Sequence, residues 1–286
     1  MKKVLILLCV CFAIALIGGI VFSRVMIGNF TPELFVQQIE SRLNCRAEIE
    51  SVDAYWLEKS RILIKGLSLA DRDDSVNSGV ALRDRLPLVD PPVRVETIEL
   101  ALQPGSLLLR RLSVKKLSFD GVKLKMLLRE DGTSSLDSVF EKRAGEAMPI
   151  GVPADSVEPV AEEEKAVFDA GNIPVAILAD RAGMTNSRFL ITVEKTGATI
   201  ELEDANFEFF GIDVNPRNLA AQNRAEYEFS GKIALGKGEA ASKALEAQIR
   251  GRGETKPFDP EKAKWAPSWQ SEIALVKGSR LDTVPI

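Results

Sequence analysis

The sequence predicts a mainly β protein of the α+β class, carried behind a membrane anchor. Three features lead to this. A long uncharged apolar run opens the chain, one short helical pattern follows it, and from Cys45 onward apolar residues recur at every second position. Apolar residues alternating with charged ones describe an antiparallel sheet packed on one face and wet on the other.

The opening run extends from Val4 to Phe22 behind Lys2 and Lys3. At about 1.5 Å per residue it reaches ~28 Å, close to the ~30 Å hydrocarbon core of a bilayer. Its Leu, Ile, Val and Phe residues each favour insertion, and the lysine pair favours a cytoplasmic N-terminus. A cleaved signal peptide is the rival reading. Its apolar core is usually about 7–15 residues and ends at a small-residue site. The longer run here favours an uncleaved signal anchor over residues 1–27. In either case the rest of the chain is expected outside the cytoplasm. Cys45 is then a lone thiol, either paired between chains or, as the favoured reading, a small buried residue at a helix–strand junction.

Residues 28–140 read as a first β module. Thr31, Pro32 and Glu33 form a helix start: a hydroxyl cap, a proline in the first turn and an acid at the positive end of the dipole. Phe35, Ile39 and Leu43 then share one face, and Asn44 can end the helix. Strands are expected from Arg46 towards Trp56, from Arg61 to Leu69, and from Val93, where Ile98, Leu100 and Leu102 alternate with polar neighbours. The polar stretch from Asp71 to Pro92 reads as a long loop. Pro104-Gly105 marks a turn. Asp120-Gly121 reads as a hairpin dipeptide between a strand ending at Phe119 and one holding Val122, Leu124 and Met126.

Residues 141–172 carry Pro149, Pro153, Pro159 and the run Glu162–Glu164, and read as a linker. Residues 173–286 read as a second β segment continuing the sheet. Phe189, Ile191 and Val193 alternate with Thr192 and Glu194; Thr196-Gly197 is a turn; Ile200, Leu202, Phe207 and Phe209 follow. Tyr227 to Leu235, Ala247 to Gly251 and Ser271 to Leu275 supply further strands.

Composition narrows the function classes. The chain has 286 residues, 45% hydrophobic and 27% charged, with a net charge of -4. A slightly acidic balance speaks against a nucleic-acid partner. Histidine is absent, which removes Ser-His-Asp and Cys-His catalysis and His-based metal sites. Asp71, Asp73, Asp74 and Asp84 lack the glycine and terminal glutamate of a calcium loop. No enzyme activity, cofactor or metal is expected.

The order of these pieces resembles the AsmA-like family, among the bridge-like lipid-transfer proteins with chorein-like ends. The resemblance rests on the anchor, the helix ending Glu40-Ser41-Arg42-Leu43, Ala47-Glu48-Ile49 leading to Trp56, and Ile64-Lys65-Gly66-Leu67-Ser68-Leu69. It also rests on Val95 through Leu112, on Asp131-Gly132-Thr133-Ser134-Ser135-Leu136 (with Ser135 where Asn is usual), and on Glu203-Asp204-Ala205-Asn206-Phe207. It implies a single-pass inner-membrane protein with the bulk of the chain in the periplasm, and a curved, groove-like sheet that handles phospholipid in outer-membrane biogenesis. The groove candidates are Ile98, Leu100, Leu102, Val122, Leu124, Met126, Phe189, Ile191, Val193, Phe207 and Phe209. The chain is short for a bridge: ten to fourteen strands at ~4.8 Å each span ~50–65 Å. An envelope protein partner or an oligomer is therefore expected besides membrane phospholipids. The alternative is a membrane-tethered scaffold, in which the same apolar residues close a core and edge strands recruit partners.

Overall fold

A computed structural model describes residues 31–55, 60–72, 80, 82–103, 111–141, 176–237, 245–262, 264–276, 280–281 and 284–285. The expected anchor with Val4 and Phe22, the linker with Glu162–Glu164, Trp56, the Pro104-Gly105 turn, Asp73 and Asp74 lie outside these residues. Among the described residues no helix is long and apolar enough to cross a membrane.

Helix α1 runs Pro32–Arg42. Thr31 is its N-cap, but the side chain makes no capping bond. The carboxyl of Glu33 is held below the usual range by its own backbone N–H and then by the Thr31 hydroxyl, which serves the acid in place of the helix end. The helix stops one residue earlier than Asn44: Leu43 turns extended and donates its N–H to the Ile39 carbonyl at 2.9 Å. Asn44 donates its N–H to Glu141 at 2.8 Å, tying the chain to the end of α2 (Asp137–Phe140).

The strands are β1 (Cys45–Glu48), β2 (Ser51–Tyr55), β3 (Arg61–Asp71), β4 (Val93–Leu102), β5 (Arg111–Asp120) and β6 (Lys123–Leu128). They continue with β7 (Ala176–Val193), β8 (Ala198–Val214), β9 (Asn223–Lys237), β10 (Leu245–Phe258), β11 (Trp265–Leu275), β12 (Arg280–Leu281) and β13 (Val284–Pro285). All belong to one large, curved sheet ordered β1-β3-β4-β5-β7-β8-β9-β10-β12-β13, with β2 on β3, β6 on β4 and β7, and β11 on β10. Mainly β is correct, whereas purely antiparallel is not. The sheet is mixed, because β5 and β6 both run parallel to β7.

That parallel pairing corrects the expected hairpin at Asp120-Gly121. Strands β5 and β6 do not fold back on each other; they follow one another along the same edge of β7. Asp120 lies beside Thr185 and Lys123 beside Arg188. Gly121 has φ 65 and donates its N–H to the Thr185 carbonyl at 3.0 Å. The dipeptide marks a bulge inside one long strand. A left-handed residue serves either role, so the dipeptide alone does not distinguish them.

The bulge is one of a row. Gly66 in β3, Gly121, Asn186 in β7 and Asp204 in β8 have φ 65, 65, 50 and 50 and stand at neighbouring registers across the sheet. Bulges bend and twist the strand that carries them, so an aligned row curves the sheet. Polar side chains hold this row on the wet face. Asp120 accepts bonds from Thr185 Oγ1 and Asn186 Nδ2, both at 2.7 Å. Asn206 accepts the Asn186 N–H at 3.0 Å, and Lys232 reaches Asp204 at 2.6 Å.

The bulges also explain the strand that sequence reading underestimated. β7 has 18 residues, of which only Phe189 to Val193 show clean alternation. Met184 and Phe189 share the apolar face although their numbers differ in parity, because the register shifts between Met184 and Phe189. An added residue inverts the phase of the pattern. The turn at Thr196-Gly197 is present, with Gly197 at φ 64. Ser271–Leu275 belongs to β11, and β12 and β13 follow it.

Candidate functional site

The apolar residues of successive strands lie on one face. The registers place Ile98 beside Phe119, Phe119 beside Met184, Met184 beside Phe207, and Phe207 beside Phe229. A second row runs Leu124, Phe189, Leu202, Ile233. All the groove candidates belong to this face, but their surroundings divide in two.

Over β1 and β3 the face is closed by α1 and α2. Val36 from α1 and Leu136 and Val139 from the α2 segment pack with Leu67, Leu69, Val93 and Val95 in the main hydrophobic core. Val139 is 0% exposed. Ile98, Val122 and Leu124 are buried in this core, and Leu102 is buried in a small neighbouring cluster with Ile62. Leu100, Met126 and Phe189 are partly buried against the main core, and Ala182, Met184 and Phe189 form its margin. Each fully buried Val, Leu or Phe here contributes about 1.5–3 kcal/mol of transfer free energy.

Beyond that margin the face is only half covered. Ile191, Val193, Phe207 and Phe209 are half-buried, as are Ile200, Leu202, Phe229 and Ile233 beside them. These last four sat in expected strands but not in the expected site; their alternation was the available signal. Four aromatic rings form a connected group here, with Tyr227 buried at its centre. Phe207 and Phe209 meet edge to face at 4.8 Å, Tyr227 meets Trp269 edge to face at 5.2 Å, and Phe209 lies 6.2 Å from Tyr227. Such pairs add about 0.5–1.5 kcal/mol beyond their burial. Glycines on β10 leave room for the neighbouring side chains of Phe229 and Tyr227. A Cβ on Gly251 falls 2.5 Å from the Phe229 ring, and one on Gly253 falls 2.7 Å from the Tyr227 oxygen. The Tyr227 hydroxyl donates to the Gln270 carbonyl at 3.2 Å and also contacts Ser271 Oγ.

The opposite face is ionic. Arg181 donates through two nitrogens to Glu208 at 2.7 and 2.6 Å and lies 5.5 Å from the Phe210 ring. Arg188 pairs with Glu201 and Lys116 with Glu99. A shallow depression of about 580 Å³ opens among Glu208, Glu228, Arg250, Arg252 and Glu272, where charges of both signs alternate. Among the described residues no three His, Cys, Asp or Glu side chains are placed to hold a metal ion. Asp71 accepts a bond from Ser138 at 2.5 Å, a contact that joins β3 to α2. Cys45 is 1% exposed, and burial pushes its thiol up to about 12.

No family model, curated protein or solved structure matches this chain.

Proposed function

We propose that this chain is an AsmA-like, inner-membrane-anchored periplasmic protein that handles phospholipid in outer-membrane biogenesis without catalysing a reaction. The observation that carries the reading is the continuity of the apolar face. It leaves a closed, helix-capped core and continues without a polar row onto strands that cover it only by half. Acyl chains laid on that surface gain about 0.8 kcal/mol per buried methylene, while headgroups stay in water. Transfer by this route is passive, and direction comes from the membranes or proteins at either end.

The test is native mass spectrometry of the protein purified from cells, with lipid extraction alongside. The informative variants are Ile191→Asp, Leu202→Asp and Ile233→Asp, because these positions are half exposed and tolerate charge better than the buried Leu124. Co-purified phospholipid that disappears in folded variants supports the reading. A folded protein that takes up no phospholipid from an excess overturns it in favour of the scaffold. The scaffold reading has its own support in β11, an edge strand exposed from Ser268 to Leu275.

A further inference from the structure

The two edges of the sheet are treated differently. At one, β2 is half-buried up to the exposed Tyr55, β1 is buried save for half-buried Glu48, and the segment after the 3-10 turn Leu82–Asp84 closes over β1: Glu48 accepts the Leu88 N–H at 2.9 Å, and Arg46 donates to the Leu86 carbonyl. At the other, every residue of β11 from Ser268 to Leu275 is exposed. Trp269, Ile273 and Leu275 there are 42%, 67% and 58% exposed. Exposed, unblocked apolar edge strands are templates for pairing with another chain.

The hydrogen-bond phase of β11 shows what the edge offers. Val276 donates its N–H to the Gln248 carbonyl at 2.8 Å, and the Gln270 and Glu272 carbonyls point at Gly253 and Gly251 of β10. Backbone direction alternates along a strand, so the odd-numbered residues Trp269, Ser271, Ile273 and Leu275 aim their N–H and C=O groups away from the sheet. These four stand on the half-covered apolar face, with Ile273 beside Gly251 and Ser271 beside Gly253.

We infer that β11 pairs antiparallel with β11 of a second copy of this chain, about a two-fold axis through Ser271. This register sets Ser271 opposite Ser271 and Trp269 opposite Ile273, all outward-bonding residues. On the wet face it sets Glu272 opposite Gln270, so no like charges meet. Pro267, which has no N–H, falls opposite Leu275 at the ends, where its loss costs least. The strand is thus self-complementary in hydrogen bonding, apolar contact and charge, as an isologous interface requires. The paired sheets share one apolar face, so dimerisation doubles the length of that surface. The pairing does not depend on whether the surface holds lipid.

The test is sedimentation of the full chain in detergent across a concentration series, joined to crosslinking. Ser271→Cys, in a Cys9→Ser, Cys11→Ser background, is treated with a short bis-maleimide; Arg217→Cys, exposed in the turn between β8 and β9 and off the β11 edge, is the control. The expected result is a dimer that crosslinks through position 271 and not through 217. Ser271→Pro removes an outward N–H without touching the ladder to β10, and Ile273→Lys sets a charge against Trp269. Each is expected to weaken dimerisation at least about tenfold with the circular dichroism spectrum unchanged. A monomer throughout the series overturns the inference and leaves the edge to a different protein or to lipid. A dimer that crosslinks equally at both positions, or that survives both substitutions, overturns it as well.

Discussion

Cys45 shows how burial decides a residue's chemistry. Its thiol ionises only near 12, against 9.0 for the free group, chiefly because burial penalises the thiolate, with Glu40 adding to the effect. The protonated form is the one the fold holds. Stability from this group is therefore complete below about pH 9 and is lost as pH rises from 9 towards 12. Alkylation of the folded protein at pH 8 is expected to leave Cys45 unmodified, and unfolding in urea to expose it; peptide mass spectrometry reads both. Cys45→Ala is expected to flatten the loss of stability above pH 9. Rapid modification of the native protein would show that β1 is not held as described.

Gly121 is a second residue whose neighbours set its cost. Its φ of 65 lies in the left-handed region, and an added Cβ falls 2.6 Å from the Glu96 side chain. Glu96 reaches outward to Lys123 at 2.7 Å and can move aside, so the backbone strain dominates. Gly121→Ala is expected to cost about 1–2 kcal/mol in urea unfolding, and Glu96→Ala together with it to recover only a minor part. Full recovery would place the penalty in the clash instead.

The helices define the element scale. Val139 from α2 is fully buried in the main core over β1 and β3, so Val139→Ala leaves a cavity that packed neighbours cannot fill. About 2 kcal/mol of destabilisation is expected there. Ile191→Ala, on half-covered β7, is expected to cost under about 1.5 kcal/mol, because less of the side chain leaves a dry environment. Chemical denaturation of the pair measures how far the helix cap extends; equal losses would mean that the β7 face is as closed as the core. The ion pair between Arg181 and Glu208 is well aligned but largely exposed on the arginine side. Its removal is expected to change stability by no more than about 1 kcal/mol.

Across the whole molecule, the pairing of β7 with both β5 and β6 joins the two strand series into one sheet. The register runs from Arg111 with Ala176 to Leu128 with Val193, so the seam is as long as β7 itself. Proteolysis within residues 142–175 is therefore expected to yield two fragments that co-elute on gel filtration and separate only in denaturant. Fragments that part under native conditions and keep their circular dichroism would show two independent units.

The features legible in the residues alone are local: the period of two, the wet and apolar faces, the α1 pattern and the turn at Gly197. These depend on sterics and solvation within a few residues, and they survive in any arrangement of the strands. The features set by packing are long-range. Asp120-Gly121 became a bulge because β7, more than fifty positions on, lies alongside in parallel. Ile98, Val122 and Leu124 became core while Ile191 and Phe207 stayed half open, although all five carry the same alternation. An apolar side chain specifies which way it faces; whether it is covered depends on the helix or strand that packs against it, and α1 and α2 reach only the N-terminal part of the face.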